Sequence, residues 1–182
     1  MAEARNGNAP KASSGGYEIN TDLFCKRLKT FYTNWKENKQ VFWGSADVIT
    51  VAAPPPSEDM RYLKSSALNV WLLGYEFPET IMVFMENQIH FLCSQKKASL
   101  LEVLKKPSKT SMGIDVVLHV KGRNDSGSAQ MEEICESMSR AGVPVVVGSI
   151  VKETPEGKLL EAWDEKLKGS EFQIVYVSSG FS

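Results

Sequence analysis

The chain has 182 residues, of which 42% are hydrophobic and 24% are charged, which fits one globular domain or a part of a larger protein. Its 21 Lys and Arg residues are balanced by 22 Asp and Glu residues, giving a net charge of -1. This balance gives no support for binding to nucleic acid or to a membrane surface.

Cysteine content and hydropathy exclude two further classes of protein. The three cysteines are widely spaced and form no CxxC pair, so a disulfide framework is not indicated and a reducing compartment fits best. The longest strongly apolar stretch, residues 143–151, is interrupted by Pro144, Gly148 and Ser149 and is too short to span a bilayer. The N-terminus lacks the apolar core of a secretion signal.

The first 16 residues are small and polar, so we expect residues 1–16 to form a disordered tail and residues 17–182 to form one folded lobe. The spacing of Phe24, Leu28, Phe31 and Trp35 predicts an amphipathic helix over 21–38, capped by Asn20 or Thr21.

A short strand follows in "ADVITVAAPPP", ended by prolines that cannot donate to a sheet. Ser57 then predicts the cap of a second helix that ends at Gly74, with a buried face made of Leu63, Ala67, Val70 and Leu73.

"TIMVFMEN" and "QIHFLCS" predict a hairpin whose first strand is central and whose second alternates between two faces. Ser94 predicts the N-terminal cap of a third helix. This helix is expected to end at Lys105 and Lys106, because Pro107 prevents its continuation.

The rest of the chain alternates between strands and helices. "IDVVLHV", "VPVVVGSIV" and "EFQIVYVSSGF" predict strands, while "AQMEEICESMSRAG" and "PEGKLLEAWDEKLKG" predict helices with buried stripes. This order predicts an α/β lobe of three layers with a mixed β-sheet between helices. The final strand lies close to residue 182, which favours a chain that stops after one lobe of a longer protein.

No residue pattern predicts a catalytic, metal or cofactor site. His90 and Cys93 face opposite sides of one strand and His119 lies on another, so both histidines are interpreted as structural. Cys25 is interpreted as a thiol at the surface or the edge of the core, and Cys93 and Cys135 as core residues. GxGxxG, GxxxxGK[ST] and GxSxG are all missing from the sequence.

Charge clusters are also weak indicators. Lys96/Lys97 and Lys105/Lys106 are interpreted as solvated helix residues, and the basic face of the first helix is only a slightly better candidate for an acidic partner. "MEEICE" and "EAWDEK" would attract a basic partner such as a histone, although most such faces are only solvated.

One resemblance covers most of the chain. "WGSAD" at 43–47, "YLKSSALNVWLLGYEFPETIMVF" at 62–84 and "IHFLCSQKKASLLE" at 89–102 resemble the N-terminal region of the large subunit of the FACT histone chaperone complex, the Spt16 family, in a plant-like version. The similarity extends over residues 17–181, and the segment 107–130 is less diagnostic.

The resemblance implies a fold similar to the smaller N-terminal lobe of aminopeptidase P and creatinase, the "pita-bread" peptidases. In the true peptidases the metal ligands lie in a second lobe, beyond this chain. For the chaperone family it implies a non-enzymatic, nuclear, chromatin-associated complex that reorganises nucleosomes in transcription, DNA replication and DNA repair. The implied partners are histones, an HMG-domain subunit bound through regions outside this chain, and replication factors, with no membrane, no cofactor and no sequence-specific binding of nucleic acid.

The segment "YEFPET" is expected to be a corner, with Tyr75 and Phe77 sealing the helix against the sheet and Pro78 fixing the turn. Glu76 and Glu79 are the candidate residues for contact with basic histone segments. Two alternatives stay open: the non-catalytic lobe of an active metallo-aminopeptidase, whose metal ligands (Asp, Asp, His, Glu, Glu) would follow downstream, or a purely structural lobe.

Overall fold

A computed structural model describes residues 18–56, 64–149 and 157–177. The predicted tail (1–16) and the predicted cap Ser57 lie outside these residues. The described α-helices are α1 Thr21–Glu37, α2 Lys39–Phe42, α3 Lys64–Leu73, α4 Gln95–Leu101, α5 Lys105–Met112, α6 Ser128–Met138 and α7 Lys158–Lys168. Short 3₁₀ turns follow α4 (Glu102–Leu104) and α6 (Ser139–Ala141).

Six strands form one mixed sheet in the described part of the chain. They are β1 Val48–Ala53, β2 Thr80–Phe84, β3 Gln88–Cys93, β4 Asp115–Val120, β5 Val146–Ser149 and β6 Gln173–Tyr176. Their spatial order is β4-β3-β2-β1-β5-β6. The strand β2 is antiparallel to both neighbours and every other pairing is parallel, so the predicted hairpin and its central first strand are confirmed.

Helices cover both faces of the sheet, which confirms the predicted three layers. One core cluster joins the sheet to α1, α3 and α4, and the other joins it to α6 and α7. In β3, Phe91 belongs to the first cluster and Leu92 to the second, because successive side chains of a strand point to opposite faces. Both faces of β2 and β3 are therefore buried.

The helix α1 forms as its sequence predicts. Asn20 Oδ1 accepts a hydrogen bond from Leu23 N at 3.0 Å, and the predicted stripe is entirely buried. The Phe31 ring lies 4.5 Å from the Phe84 ring on β2, centroid to centroid. Burial of an aromatic side chain of this size stabilises the fold by roughly 1.5–3 kcal/mol, so α1 is held chiefly by this stripe.

The predicted end of the third helix is wrong. The chain passes from α4 through the 3₁₀ turn into α5, in which Pro107 is the third residue, and the helix ends only at Gly113 with φ +68°. Proline is tolerated in the first turn of a helix because the amides there have no partner within the helix. Pro107 therefore begins a new helix instead of ending the previous one.

The predicted buried face of α3 is also wrong in part. Ala67 and Val70 are exposed, whereas Leu68, Asn69 and Leu72 are buried; Leu73 is buried as predicted, and Leu63 lies outside the described residues. Apolar residues surround most of this helix, so their spacing alone does not select one face. Asn69 Nδ2 donates to Phe77 O at 3.2 Å, a contact that accompanies the observed orientation.

Candidate functional site

The corner at 74–79 lies at the end of the sheet where the parallel strands finish. The strand β2 runs opposite to β1, so its first residue Thr80 pairs with Ala53, the last residue of β1. Glu79 N donates to Pro54 O at 3.0 Å. The carboxyl ends of parallel strands are where α/β sheets usually place their binding loops, and this corner lies at that end of the sheet.

The corner itself is well packed. Gly74 has φ +88° and donates its N–H to Val70 O at 2.9 Å, as expected for a residue that ends a helix. Phe77 is buried in the core shared with α1, and the half-buried Tyr75 packs against the same core and donates its hydroxyl to Glu18 O at 3.0 Å. The expected sealing role of these two aromatic residues is confirmed.

The two candidate carboxylates differ in their surroundings. Both Glu76 and Glu79 are exposed. Glu79 has φ +51°, which is uncommon for a residue other than glycine. The ammonium group of Lys97 donates to Pro78 O, and burial lowers the pKa of Lys97 while the charge of Glu79 opposes that shift. The negative potential at Glu79 is thus partly neutralised, whereas Glu76 has no such neighbour among the described contacts.

Sequence reasoning missed a buried histidine pair. His90 Nδ1 lies 2.8 Å from His119 Nε2, and the rings stack with centroids 5.0 Å apart. The parallel register places His90 opposite Val117 and Leu92 opposite His119, so both imidazoles lie on one face of neighbouring strands. Side chains alternate between the two faces of a strand, so the sequence assigns each histidine to one face. Only the β3–β4 register shows that the two rings meet.

The chemistry of this pair is structural. Burial, and then the proximity of His119, lower the pKa of His90 to about 4. Burial also lowers the pKa of His119, although the Glu133 carboxylate 3.3 Å from its Nδ1 acts in the opposite direction. Both shifts favour neutral imidazoles at pH 7, and the tautomers of the two rings decide which of them donates in the 2.8 Å contact.

Reactive groups are sparse in the described ranges. Burial raises the pKa of Cys93 to about 12 and also raises that of Cys135, so both thiols stay protonated, and Cys25 is half-buried. Residues 18–56, 64–149 and 157–177 contain no group of three His, Cys, Asp or Glu side chains arranged to hold a metal ion. Within the same ranges no helix is both long and apolar enough to cross a membrane.

Each acidic helix has one carboxylate paired with a lysine. On α6, Glu132 forms an ion pair with Lys166 of α7, and on α7 the Asp164 carboxylate lies 2.9 Å from Lys168 Nζ. A cleft of about 810 Å³ at the opposite end of the sheet is lined by both signs of charge, including Lys36, Asp47, Glu86, Asp115 and Arg140. Charge alone therefore identifies no single site.

Comparison with known proteins decides the family. The family model described as "FACT complex subunit SPT16 N-terminal lobe domain" matches residues 19–180. The chain belongs to the SPT16 family. It is 58% identical to the FACT complex subunit SPT16 of Oryza sativa subsp. japonica over 98% of this chain and 17% of that protein. It is 50% identical to that of Arabidopsis thaliana over 100% of this chain and 18% of that protein.

A solved SPT16 structure confirms the fold. The N-terminal domain of FACT complex subunit SPT16 from Cicer arietinum (chickpea) superposes with a TM-score of 0.85 at 53% identity, covering 90% of this chain and 38% of that chain. The predicted α/β class with a mixed sheet between helices is therefore shown for an SPT16 N-terminal lobe. The chain spans less than a fifth of the length of its curated relatives.

Proposed function

We propose that this chain is the non-catalytic N-terminal lobe of a FACT-type histone chaperone subunit and contributes to the reorganisation of histones and nucleosomes. The observation that carries the proposal is the match of residues 19–180 to the SPT16 N-terminal lobe family. The complex is nuclear and chromatin-associated and acts during transcription, DNA replication and DNA repair. Its HMG-domain subunit binds elsewhere in the longer protein, and replication factors are further partners.

The chemistry of the described side chains supports a binding role over a catalytic one. The thiols of Cys93 and Cys135 are held protonated by burial, and the imidazoles of His90 and His119 are buried against one another. None of these groups offers a nucleophile or a general base at the surface.

Within this proposal, Glu76 and Glu79 contact basic histone segments. Both carboxylates are exposed at the corner where the parallel strands end. Exposed ion pairs contribute roughly 0.2–1 kcal/mol each, so two such contacts add specificity and speed of association more than affinity. Glu76 is expected to contribute more than Glu79, since Lys97 lies near Glu79.

Calorimetric titration tests this role. The chain is titrated with intact core histones and with their isolated tails at two salt concentrations, because contacts that depend only on exposed charges weaken as salt screens them. The double variant Glu76→Gln/Glu79→Gln is compared with Glu161→Gln/Glu165→Gln, which removes the same charge from the exposed face of α7.

The outcomes separate the candidate functions. Binding that survives the higher salt and weakens about threefold or more only in the corner variant would support a histone-reading lobe, by the magnitude expected for two exposed pairs. Equal weakening in both variants would show that total charge matters and the corner does not. No binding under either condition would leave the alternative of a purely structural lobe.

A further inference from the structure

The strand β4 lies at one edge of the sheet formed by the described residues. The strand β4 pairs with β3 on one side, and no strand of the described residues pairs with its other side. Its six residues contain neither proline nor glycine, and its pairing with β3 runs without a bulge from Gln88↔Asp115 to Cys93↔Val120. Proteins usually protect edge strands with short length, proline or bulges, and β4 uses none of these devices.

The hydrogen-bonding groups on this edge follow from the register. Asp115 N donates to Asn87 O at 3.0 Å, and Lys121 N donates to Cys93 O at 2.9 Å. Along a strand, the N–H and C=O groups of successive residues point to opposite sides. The even-numbered residues Val116, Leu118 and Val120 therefore direct their N–H and C=O groups away from β3. Gln130 Nε2 donates to Val120 O at 2.7 Å, which closes the row at that end.

The two faces beside this edge differ in chemistry. Towards α5, the half-buried side chains of Leu118, Val120 and Met112 border the core. Towards α6, the Glu133 carboxylate is 69% exposed and lies beside His119. The same face carries Asp115, whose carboxylate is 3.2 Å from Lys109 Nζ and so only partly available.

A ligand that pairs with this edge would place alternate side chains on these two faces. Positive side chains would lie beside Glu133, and small apolar side chains beside Leu118 and Val120. Lys121 stands at the closed end of the row, where its Nζ donates to Gly122 O at 3.2 Å. Among the charged side chains on the α6 side, Asp115 is paired with Lys109 and Lys121 stands at the closed end, so the exposed Glu133 carboxylate is the group there that can receive a positive side chain.

We propose that an extended, basic peptide segment binds this protein as an added strand along the outer edge of β4. Its backbone pairs with the outward N–H and C=O groups of Val116 and Leu118 and with the Val120 N–H, while its Lys or Arg side chains meet Glu133. Strand addition obtains affinity from the backbone and specificity from alternate side chains. The inference rests on the proposed function, since it adds a second contact surface for a histone tail, separate from the corner with Glu76 and Glu79.

Hydrogen exchange measured by NMR gives the first test. In the free chain the amides of Val116 and Leu118 should exchange faster than those of Val117 and His119, which face β3. Saturating amounts of an isolated histone tail, or of a ten-residue synthetic peptide of alternating Lys and Val, should slow exchange at Val116 and Leu118 at least tenfold. Unchanged exchange at these two amides in the presence of a bound tail would overturn the proposal.

A proline variant gives the second test. Leu118→Pro removes an outward N–H and leaves the β3 pairing intact, since proline is accepted where the N–H of an edge strand faces solvent. The matched control is Ile174→Pro on β6, because Gln173 N and Val177 N both point towards β5 and Ile174 therefore points outward. Leu118→Pro should weaken peptide binding at least tenfold, and Ile174→Pro should leave it unchanged.

Modified peptides keep the test decisive if Leu118→Pro does not fold. Two versions of the alternating peptide are N-methylated, one at all odd and one at all even positions. Only one of the two should lose binding, because a strand pairs through one edge at a time. If both still bind and intact histones bind as well, the edge assignment is wrong while the proposed function stands. If neither tails nor intact histones bind, both are wrong.

Discussion

The histidine pair should make the stability of this protein fall between pH 7 and pH 5. In the folded protein the pKa of His90 is lowered from 6.5 to about 4 by burial and by His119. A lowered histidine pKa means that the unfolded chain takes up the proton first. The stability is therefore complete above pH 6.5, is lost as the pH falls towards about 4 and changes no further below that value.

The magnitude follows from the size of this shift. One pKa unit corresponds to about 1.4 kcal/mol, so His90 alone should lower the free energy of unfolding by about 2 kcal/mol between pH 7 and pH 5. Urea unfolding followed by tryptophan fluorescence measures this change. The chain has two histidines, so few other groups titrate in this interval. Asp125 has a pKa lowered below 3.8, chiefly by the Gly127 N–H, and contributes only at lower pH.

The test variant is His90→Asn. Its side-chain amide can place either the oxygen or the nitrogen near the position of Nδ1, so it can accept a hydrogen bond from His119 or donate one to it, but it does not titrate. The variant should be somewhat less stable than the parent at pH 7 and should lose much less stability on going to pH 5. A loss of equal size in the parent and in His90→Asn would refute the reasoning, because it would show that the pH dependence arises elsewhere.

Three further substitutions test the packing and the corner. Glu79→Gly should raise the free energy of unfolding by about 0.5–1 kcal/mol in thermal unfolding, because Glu79 has φ +51°; a loss of stability would mean that its charge beside the corner matters more than its backbone strain. Gly148→Ala should lower stability by about 1–3 kcal/mol in urea unfolding, since the new Cβ would lie 2.9 Å from Ile49 Cδ1; an unchanged midpoint would show that Ile49 moves aside freely. Trp163→Phe should cost about 1–3 kcal/mol in the same assay, because it leaves Thr50 Oγ1 without the indole N–H that lies 3.0 Å away; pairing with Thr50→Val should show non-additive losses if this bond is responsible.

Most secondary structure of this protein is determined locally. The helix α1 follows from its four-residue and three-residue apolar spacing and its Asn20 cap, and the strands follow from short apolar runs between turn residues. The local signal was insufficient where several answers fit it. An α3 that is apolar on most sides does not specify its buried face, and Pro107 is equally compatible with the end of one helix and the start of another.

The sequence predicts the turn at the corner, but not which distant residues lie next to it. Gly74, Phe77 and Pro78 indicate a turn, and the structure confirms it. The approach of Lys97 to Pro78 joins residues 19 positions apart, so it depends on how α4 packs against the sheet. The contribution of Glu79 to the local charge therefore could not be read from the sequence.

What only the tertiary structure decided is which strands become neighbours. Alternation along a strand assigns each side chain to a face, because successive residues point to opposite sides of the sheet. It contains no information on register between strands that are distant in the chain. The pairing of β3 with β4 brings His90 to His119 across 29 positions and leaves Val116 and Leu118 on an edge that no strand of the described residues pairs with. Both features arise from long-range pairing, which the sequence permits but does not specify residue by residue.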